Sequence, residues 1–186
     1  MPATRPHIDR DLKRKEIIDS AEALFLSDGY ESTSMAAVAR GAGIASNAVY
    51  WYFPGKDDLL AAVLERRLEL SVSSLPDPAV TTMEEQVLAV LARLDQVARL
   101  TAAVHQRSGQ SEAVAAVHQS FHEQIDQMLR RLYREAGLEP EDSGLAASAT
   151  MALIEGIHLH DEHRDPAARD ELVLWTIRRI VSGKDE

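Results

Sequence analysis

Two sets of residues in this chain have chemistry to offer: seven histidines, and a run of hydroxyl, amide and aromatic side chains between Thr33 and Lys56. His118 and His122 are four apart, a spacing that puts two imidazoles on one helix face, as in helical zinc sites. No H-E-x-x-H accompanies them, and no local spacing fixes a third ligand. His158 and His160 would lie roughly 200° apart around a helix and cannot share an ion. His160 and His163 share a face near a helix C-terminus, where a cation is favoured in any case. Glu155 and Glu162 come within reach of His158, though a Glu–His pair on a helix is ordinarily a surface or pocket hydrogen bond. The chain has no cysteine, so neither a disulfide nor a thiolate metal site is available. Nucleophile motifs, phosphate loops and dinucleotide fingerprints are also missing. The expectation is a chain with no catalytic residue, no metal and no cofactor.

The second set reads T-S-M-A-A-V-A-R-G-A-G-I-A-S-N-A-V-Y-W-Y-F-P-G-K. Ser34 is a ready N-cap, and Met35, Val38 and Ala39 recur behind it at helical spacing. Gly43 is placed to end that helix in the left-handed conformation. Ile44 resumes the apolar pattern, and a second short helix is expected from about Ser46 to Phe53, closed by Pro54-Gly55. Two short helices across a glycine turn form a helix-turn-helix. On the second, Val49 and Phe53 point into a core, while Ser46, Asn47, Tyr50, Trp51 and Tyr52 crowd the rest. Such groups at a helix N-terminus donate to phosphate oxygens and touch base edges in a major groove. Taken alone, aromatic residues this dense favour simple packing, and it is the whole string that points outward.

The segment from about Lys13 to Leu60 resembles the DNA-binding domain of the TetR (tetracycline-repressor) family of bacterial transcription regulators. The shared pattern is carried by Ser34, Val38-Ala39, Ala42-Gly43-Ile44, Ser46-Asn47, Val49-Tyr50-Trp51-Tyr52-Phe53 and Lys56-Asp57-Asp58-Leu59-Leu60, about a quarter of the chain. The resemblance implies an all-α protein of about nine helices. A three-helix DNA-binding domain over residues 1–56 would join, through a connecting helix over 57–75, an effector-binding and dimerisation domain over 76–186. It implies backbone contacts from Thr33, Ser34, Tyr50, Tyr52 and Lys56, with Ala45, Ser46, Asn47 and Trp51 nearer the base edges. Thr33 and Ser34 have capping open to them as well as phosphate binding. The chain departs from the family at Ala45, where a capping serine or threonine is usual, and at Asn47, often a glycine. Both bear on which operator is read.

These residues need elements to position them. A first helix is expected from about Asp11 to Ser27, with Leu12, Ile17, Ala21, Leu24 and Phe25 as its apolar stripe and Gly29 after its end. The connecting helix runs through Leu59, Leu60, Val63, Leu64 and Leu68 to the linker S-V-S-S-L-P-D-P. Thr81 or Thr82, with Glu84 or Glu85 three residues on, makes a capping-box start. A break between Leu94 and Thr101 is expected only because the family uses two helices there. Further helices are expected over about Ser111–Ala136, stopping at Gly137, over about Ser143–His163, and from Asp165-Pro166 onward.

The family encloses a small-molecule effector in its second domain. His118, His122, Glu155 and His158 would be polar points in such a cavity, with Phe121, Ile125, Met151 and Ile154 as walls. A filled core holding a few hydrogen-bonded histidines is the plainer reading of the same residues. The family also pairs its last two helices across a dimer twofold. Ala149, Ala152 and Gly156 offer a small-residue face for that contact, and Val173, Ile177 and Ile180 would complete it. Tight packing within one chain is the alternative for the small face.

The formal net charge of −10 argues at first against a nucleic-acid partner. Its distribution answers the objection: residues 1–15 carry five Lys/Arg against two Asp/Glu, whereas residues 71–186 carry 11 against 19. Only local charge meets phosphates. No apolar run approaches the roughly 18 to 20 residues that span a bilayer, and the first residues lack a signal peptide's apolar core. The expected partners are double-stranded operator DNA, a small-molecule effector of unknown identity and a second copy of the chain, in the cytoplasm and without a membrane. The alternative is a small-molecule binding protein of the same fold with weak or lost DNA affinity.

Overall fold

Eight α-helices and one 3-10 turn account for the regular structure among the described residues, with no strand. The structure, a computed structural model, describes residues 5–73, 80–96, 98–160 and 165–183. The helices are α1 (Arg5–Ser27), α2 (Met35–Gly41), α3 (Lys56–Ser73), α4 (Met83–Gln96), α5 (Ala98–Ser108), α6 (Glu112–Glu135), α7 (Pro140–His160) and α8 (Pro166–Ser182), and the 3-10 turn is Ala48–Trp51. By packing the chain divides into two units, Met1–Leu70 with Ala102–His118 and Ser71–Thr101 with Gln119–Glu186. No described helix is long and apolar enough to cross a membrane.

Local signals set most of the boundaries. Ser34 is extended (φ −102°, ψ 152°), and its side chain accepts from Ala37 N–H at 3.1 Å, so α2 starts where a cap satisfies one of its orphan donors. Gly43, at φ +66°, ends α2, with Gly43 N–H bonded to Arg40 O and Ile44 N–H to Ala39 O. Those two bonds are the paired closure of a Schellman motif, and Gly137 (φ +92°) ends α6 the same way. At α4, Thr82 N–H donates to Glu85 Oε2 and Glu85 N–H to Thr82 Oγ1, the reciprocal capping box. Asp165 caps α8 through Ala167 N–H, and Pro166 opens it.

Three boundaries differ from expectation. α1 begins at Arg5 rather than Asp11, because Pro6 in a first helical turn lacks only an N–H that needs no partner there. α7 begins at Pro140 rather than Ser143, with the fixed φ of proline opening it and Glu141 and Asp142 at the positive end of its dipole. The expected α-helix over Ser46–Phe53 is instead the 3-10 turn Ala48–Trp51, for a reason given below. The expected extension of α7 from His160 to His163 and most of the proline linker lie outside the described residues.

In the first unit, α1 buries Ile17, Ile18, Ala21 and Phe25, whereas Leu12, expected on the same stripe, is exposed. α1 packs on α2 at close range. Ser20 Oγ donates to Val38 O at 3.0 Å, and a Cβ added to Gly41 would fall 2.2 Å from that Oγ. Arg66 of α3 forms ion pairs with Asp19 and Glu22 of α1, and Arg67 with Glu22. The second unit has its own core from α4 (Val87, Leu91), α6 (Leu129, Leu132, Tyr133), α7 (Ala147, Ile154) and α8 (Val173, Ile177). Inside it Tyr133 and Thr150 hydroxyls share a 2.6 Å hydrogen bond, so neither is left unpaired by burial. Burial pushes the Tyr133 phenol above its ordinary pKa. Buried Arg169 of α8 is paired with Asp95 of α4 and with Asp170.

Candidate nucleic-acid interface

The stretch that follows Gly43 has no cap. Ala45 offers no side-chain acceptor, and Asn47, in a helical conformation (φ −78°, ψ −23°), makes no capping hydrogen bond. Ala48 N–H bonds Ala45 O at 2.9 Å and Tyr52 N–H bonds Val49 O at 3.0 Å, the i to i+3 closures of a 3-10 turn. Phe53 N–H reaches Val49 O at 3.0 Å, one α-type bond that does not propagate. What holds the turn is packing, since Val49 and Phe53 are buried as expected. The opposite side carries the polar and aromatic groups. Ala45, Ser46, Asn47 and Tyr50 are exposed, Trp51 is 82% exposed, and Tyr52 is half-buried. An indole left this open on a short turn is unusual for packing and suits a surface that meets something else.

Around this turn the expected contact residues separate into two groups. Ser34 is exposed, and capping α2 through its oxygen leaves its hydroxyl hydrogen free to donate. Thr33 is corrected: it is buried, and its hydroxyl bonds Gly29 O at 2.8 Å and Leu24 O at 3.3 Å, so it holds the turn before α2 rather than presenting to phosphate. Lys56 is corrected likewise. Its ammonium donates to Tyr30 O (2.8 Å), Thr33 O (3.1 Å) and Glu31 O (3.3 Å) and lies 4.2 Å from the centre of the Tyr30 ring. An ammonium has three protons, so Lys56 staples the turn over 30–33 and is not presented as a bare charge.

One cluster beside Lys56 was not expected. Asp57 Oδ1 accepts from Arg107 Nε at 2.9 Å, and Oδ2 pairs with Arg107 Nη2, a bidentate fork. The Tyr30 hydroxyl donates to the same Oδ1. The Arg107 bonds hold the Asp57 carboxyl below its usual pKa, and burial followed by the bond to Asp57 pushes the Tyr30 phenol up. In the sequence Asp57 stands out only as part of the pattern shared with the family. Nothing in R-S-G-Q-S marks Arg107 as its partner, 50 residues away.

The proposed effector residues are divided between the two packing units. His118 belongs to the first unit, where its ring meets His105 edge-on at 4.7 Å. The others with described side chains lie in the second unit. There His122 Nε2 pairs with Glu155 Oε1 at 2.9 Å, joining α6 to α7, and Phe121 packs edge-on to His122. Ile154 is core, Ile125 packs against that core, and Met151 is half-buried. The side chain of His158 lies outside the described residues.

The dimer face is corrected in part. Val173 and Ile177 are buried in the core of their own unit and Ile180 packs against it, because the most apolar stripe of α8 is the one the subunit needs for itself. Ala149 and Ala152 are exposed, and a Cβ on Gly156 would meet nothing within 4 Å. With Leu145, 68% exposed, they form one open 4-3-4 seam along α7.

The sequence model described as "Bacterial regulatory proteins, tetR family" matches residues 17–63, which contain this turn, α2 and the start of α3. The HTH-type transcriptional regulator SrpR of Pseudomonas putida is 39% identical over 85 residues, 45% of this chain and 39% of that protein, so the match spans well under two thirds of SrpR. The HTH-type transcriptional repressor KstR of Rhodococcus jostii is 30% identical over 146 residues, 75% of this chain and 68% of that one. The chain belongs to the TetR family. A crystal structure of a transcriptional regulator from Rhodococcus sp. Rha1 shares the fold of this TetR-family chain. It has a TM-score of 0.77 and 19% identity, and the match covers 93% of this chain and 98% of that one. The all-α architecture with an N-terminal helix-turn-helix is therefore the family's own.

Proposed function

We propose that this chain is a sequence-specific DNA-binding transcriptional regulator, acting as a repressor on a palindromic operator and released by a small-molecule effector. The observation that carries this reading is the outward set of Tyr50 and Trp51, held by buried Val49 and Phe53 directly after a capped α2. The division of labour follows the family: residues 1–56 read DNA, 57–75 connect, and 76–186 bind effector and dimerise. KstR, which is named a repressor, supports that sense of regulation. Trp51, Ser46, Asn47 and Ala45 face the bases, while Ser34, Tyr50 and Tyr52 touch the backbone. Lys56 and Thr33 serve by fixing the turn from which Ser34 acts.

The operator requires two readers about one DNA turn, roughly 34 Å, apart. The seam of Leu145, Ala149, Ala152 and Gly156, with exposed Trp175 of α8, is the surface on which a second copy pairs. The effector site uses the His122–Glu155 pair as its polar point, beside Phe121 and Met151. An effector shifts DNA affinity only by its differential affinity for the two states. The cytoplasm, where the DNA is, is the proposed compartment. The missing cap at Ala45 favours one second reading, a small-molecule binding protein of this fold with weakened DNA affinity.

Selection of fragments from random DNA by the full chain separates the two. The first reading expects a palindrome, and Trp51→Ala is expected to weaken binding to it by about tenfold or more, the scale of a lost base-edge contact. Recovery of no enriched fragment, with a ligand response intact, establishes the second reading instead.

A further inference from the structure

Asp57 is the point where three stretches of the first unit meet: the turn before α2 through Tyr30, the start of α3 on which it sits, and the last turn of α5 through Arg107. Both members of the ion pair are half-buried, with side-chain exposures of 27% for Arg107 and 20% for Asp57. The fork is bidentate, the arrangement in which an Arg–carboxylate pair fixes orientation as well as distance. The adjacent Lys56 ties Tyr30 O, Glu31 O and Thr33 O to the same helix start, and the next residue, Ser34, caps α2. A continuous run of bonds thus leads from Arg107 through Asp57 and Tyr30 to the first turn of the helix-turn-helix. Arg107 also donates to Gln110 Oε1 at 2.7 Å across the turn between α5 and α6, so its guanidinium is fixed on its own side too.

We infer that Arg107 is a positioning residue for DNA reading, holding the start of α2 through Asp57 and Tyr30. The inference rests on the proposal that the chain binds DNA, and it adds where control of that binding enters. Arg107 lies in the segment 102–118, which reaches the first unit from the second along α5 and returns along α6. A change of the Arg107 side-chain rotamer breaks the fork to Asp57 and with it the run of bonds to the turn before α2. Arg107 itself touches no phosphate in this scheme, so its effect on affinity is independent of salt.

The full chain is tested as Arg107→Gln, Arg107→Lys, Asp57→Asn and the Gln/Asn double variant, each against the fragment that wild type recovers from random DNA. Arg107→Gln is expected to raise the Kd about tenfold, with the double variant no worse than the poorer single one, as for residues coupled in one network. The slope of affinity against salt stays at its wild-type value, because no phosphate contact is lost. Arg107→Lys, which keeps the charge and loses the fork, falls between. Hydrogen exchange on the DNA-free proteins is read in parallel: amides of residues 30–38 exchange faster in Arg107→Gln, while those of Val87–Leu91 in the second unit do not change. Wild-type affinity together with wild-type exchange in Arg107→Gln overturns the inference. A salt slope lowered by about one unit also overturns it, because Arg107 would then be a direct phosphate contact. Faster exchange in a chain that recovers no DNA fragment keeps the positioning role and removes the DNA-binding proposal beneath it.

Discussion

α2 and the 3-10 turn Ala48–Trp51 stand next to each other in the chain, and both are too short to form a helix in isolation. α2 has every local support. Ser34 caps its start, Gly43 closes its end, and Met35, Val38 and Ala39 are buried. Ala48–Trp51 has burial through Val49 alone, no cap and no α-helical continuation, and on its open side it carries a tryptophan that is 82% exposed. The first is a platform and the second is presented on it. If this turn reads DNA, as proposed, a reader that is complete only in part beforehand adjusts to the groove at an entropic cost when it binds. The contrast makes stability and recognition separable: damage to α2 is expected in folding, and changes to 45–51 in binding.

The most damaging single change to the platform is expected at Gly41. Its Cβ position is 2.2 Å from Ser20 Oγ, and that hydroxyl is held by Val38 O. Gly41→Val forces α1 and α2 apart or breaks that bond, at about 2 to 3 kcal/mol for overpacking a tight contact. Urea unfolding of the full chain measures it, and Ser20→Gly in the same chain is expected to recover part of the loss. An unchanged midpoint for Gly41→Val would show that the helix crossing is looser than the geometry says.

Ser34→Ala comes next. Loss of the bond to Ala37 N–H is expected to cost about 1 kcal/mol of stability, and Ser34→Gly only a few tenths. If Ser34 also donates to phosphate, Ser34→Gly weakens operator binding while barely moving the unfolding midpoint. Parallel losses in both assays, in both variants, would leave Ser34 a cap and nothing more.

What could be read along the chain follows from how far each cause reaches. Ser34, Gly43, Gly137, Thr82 with Glu85 and Asp165-Pro166 act within a few residues, and all five shape the structure as their types require. Val49 and Phe53 were legible as core because the apolar residues of such a short element have one side to occupy. The roles of Thr33 and Lys56 were not legible, since a hydroxyl or ammonium near a turn suits a carbonyl as well as it suits a phosphate. Val173 and Ile177 marked an apolar stripe correctly, but periodicity does not say whether that stripe faces its own subunit or another. Arg107 and Asp57 are 50 residues apart, and only the folded chain joins them.

The smallest expected effect is the one that completes the comparison, because it gives the reader what the platform already has. Ala45→Ser places a hydroxyl at the residue whose carbonyl already receives Ala48 N–H, the N-cap position from which a side chain accepts from the N–H groups two or three residues on. Phe53 N–H already bonds Val49 O in the α pattern, so lengthening the turn into a short α-helix requires no change in the buried pair. The gain in stability is expected to be about 0.5 kcal/mol, the low end of the capping range, because the element is short and mostly exposed. Exchange of the Ala48 and Val49 amides is expected to slow by about twofold for the same reason. Binding gives the sharper reading: if DNA is met by a helix, pre-forming it lowers the Kd by a few-fold, through the ordering cost no longer incurred at binding. If DNA is met by the 3-10 turn, the same serine slows exchange yet weakens binding, and the open turn is then the form that reads the operator.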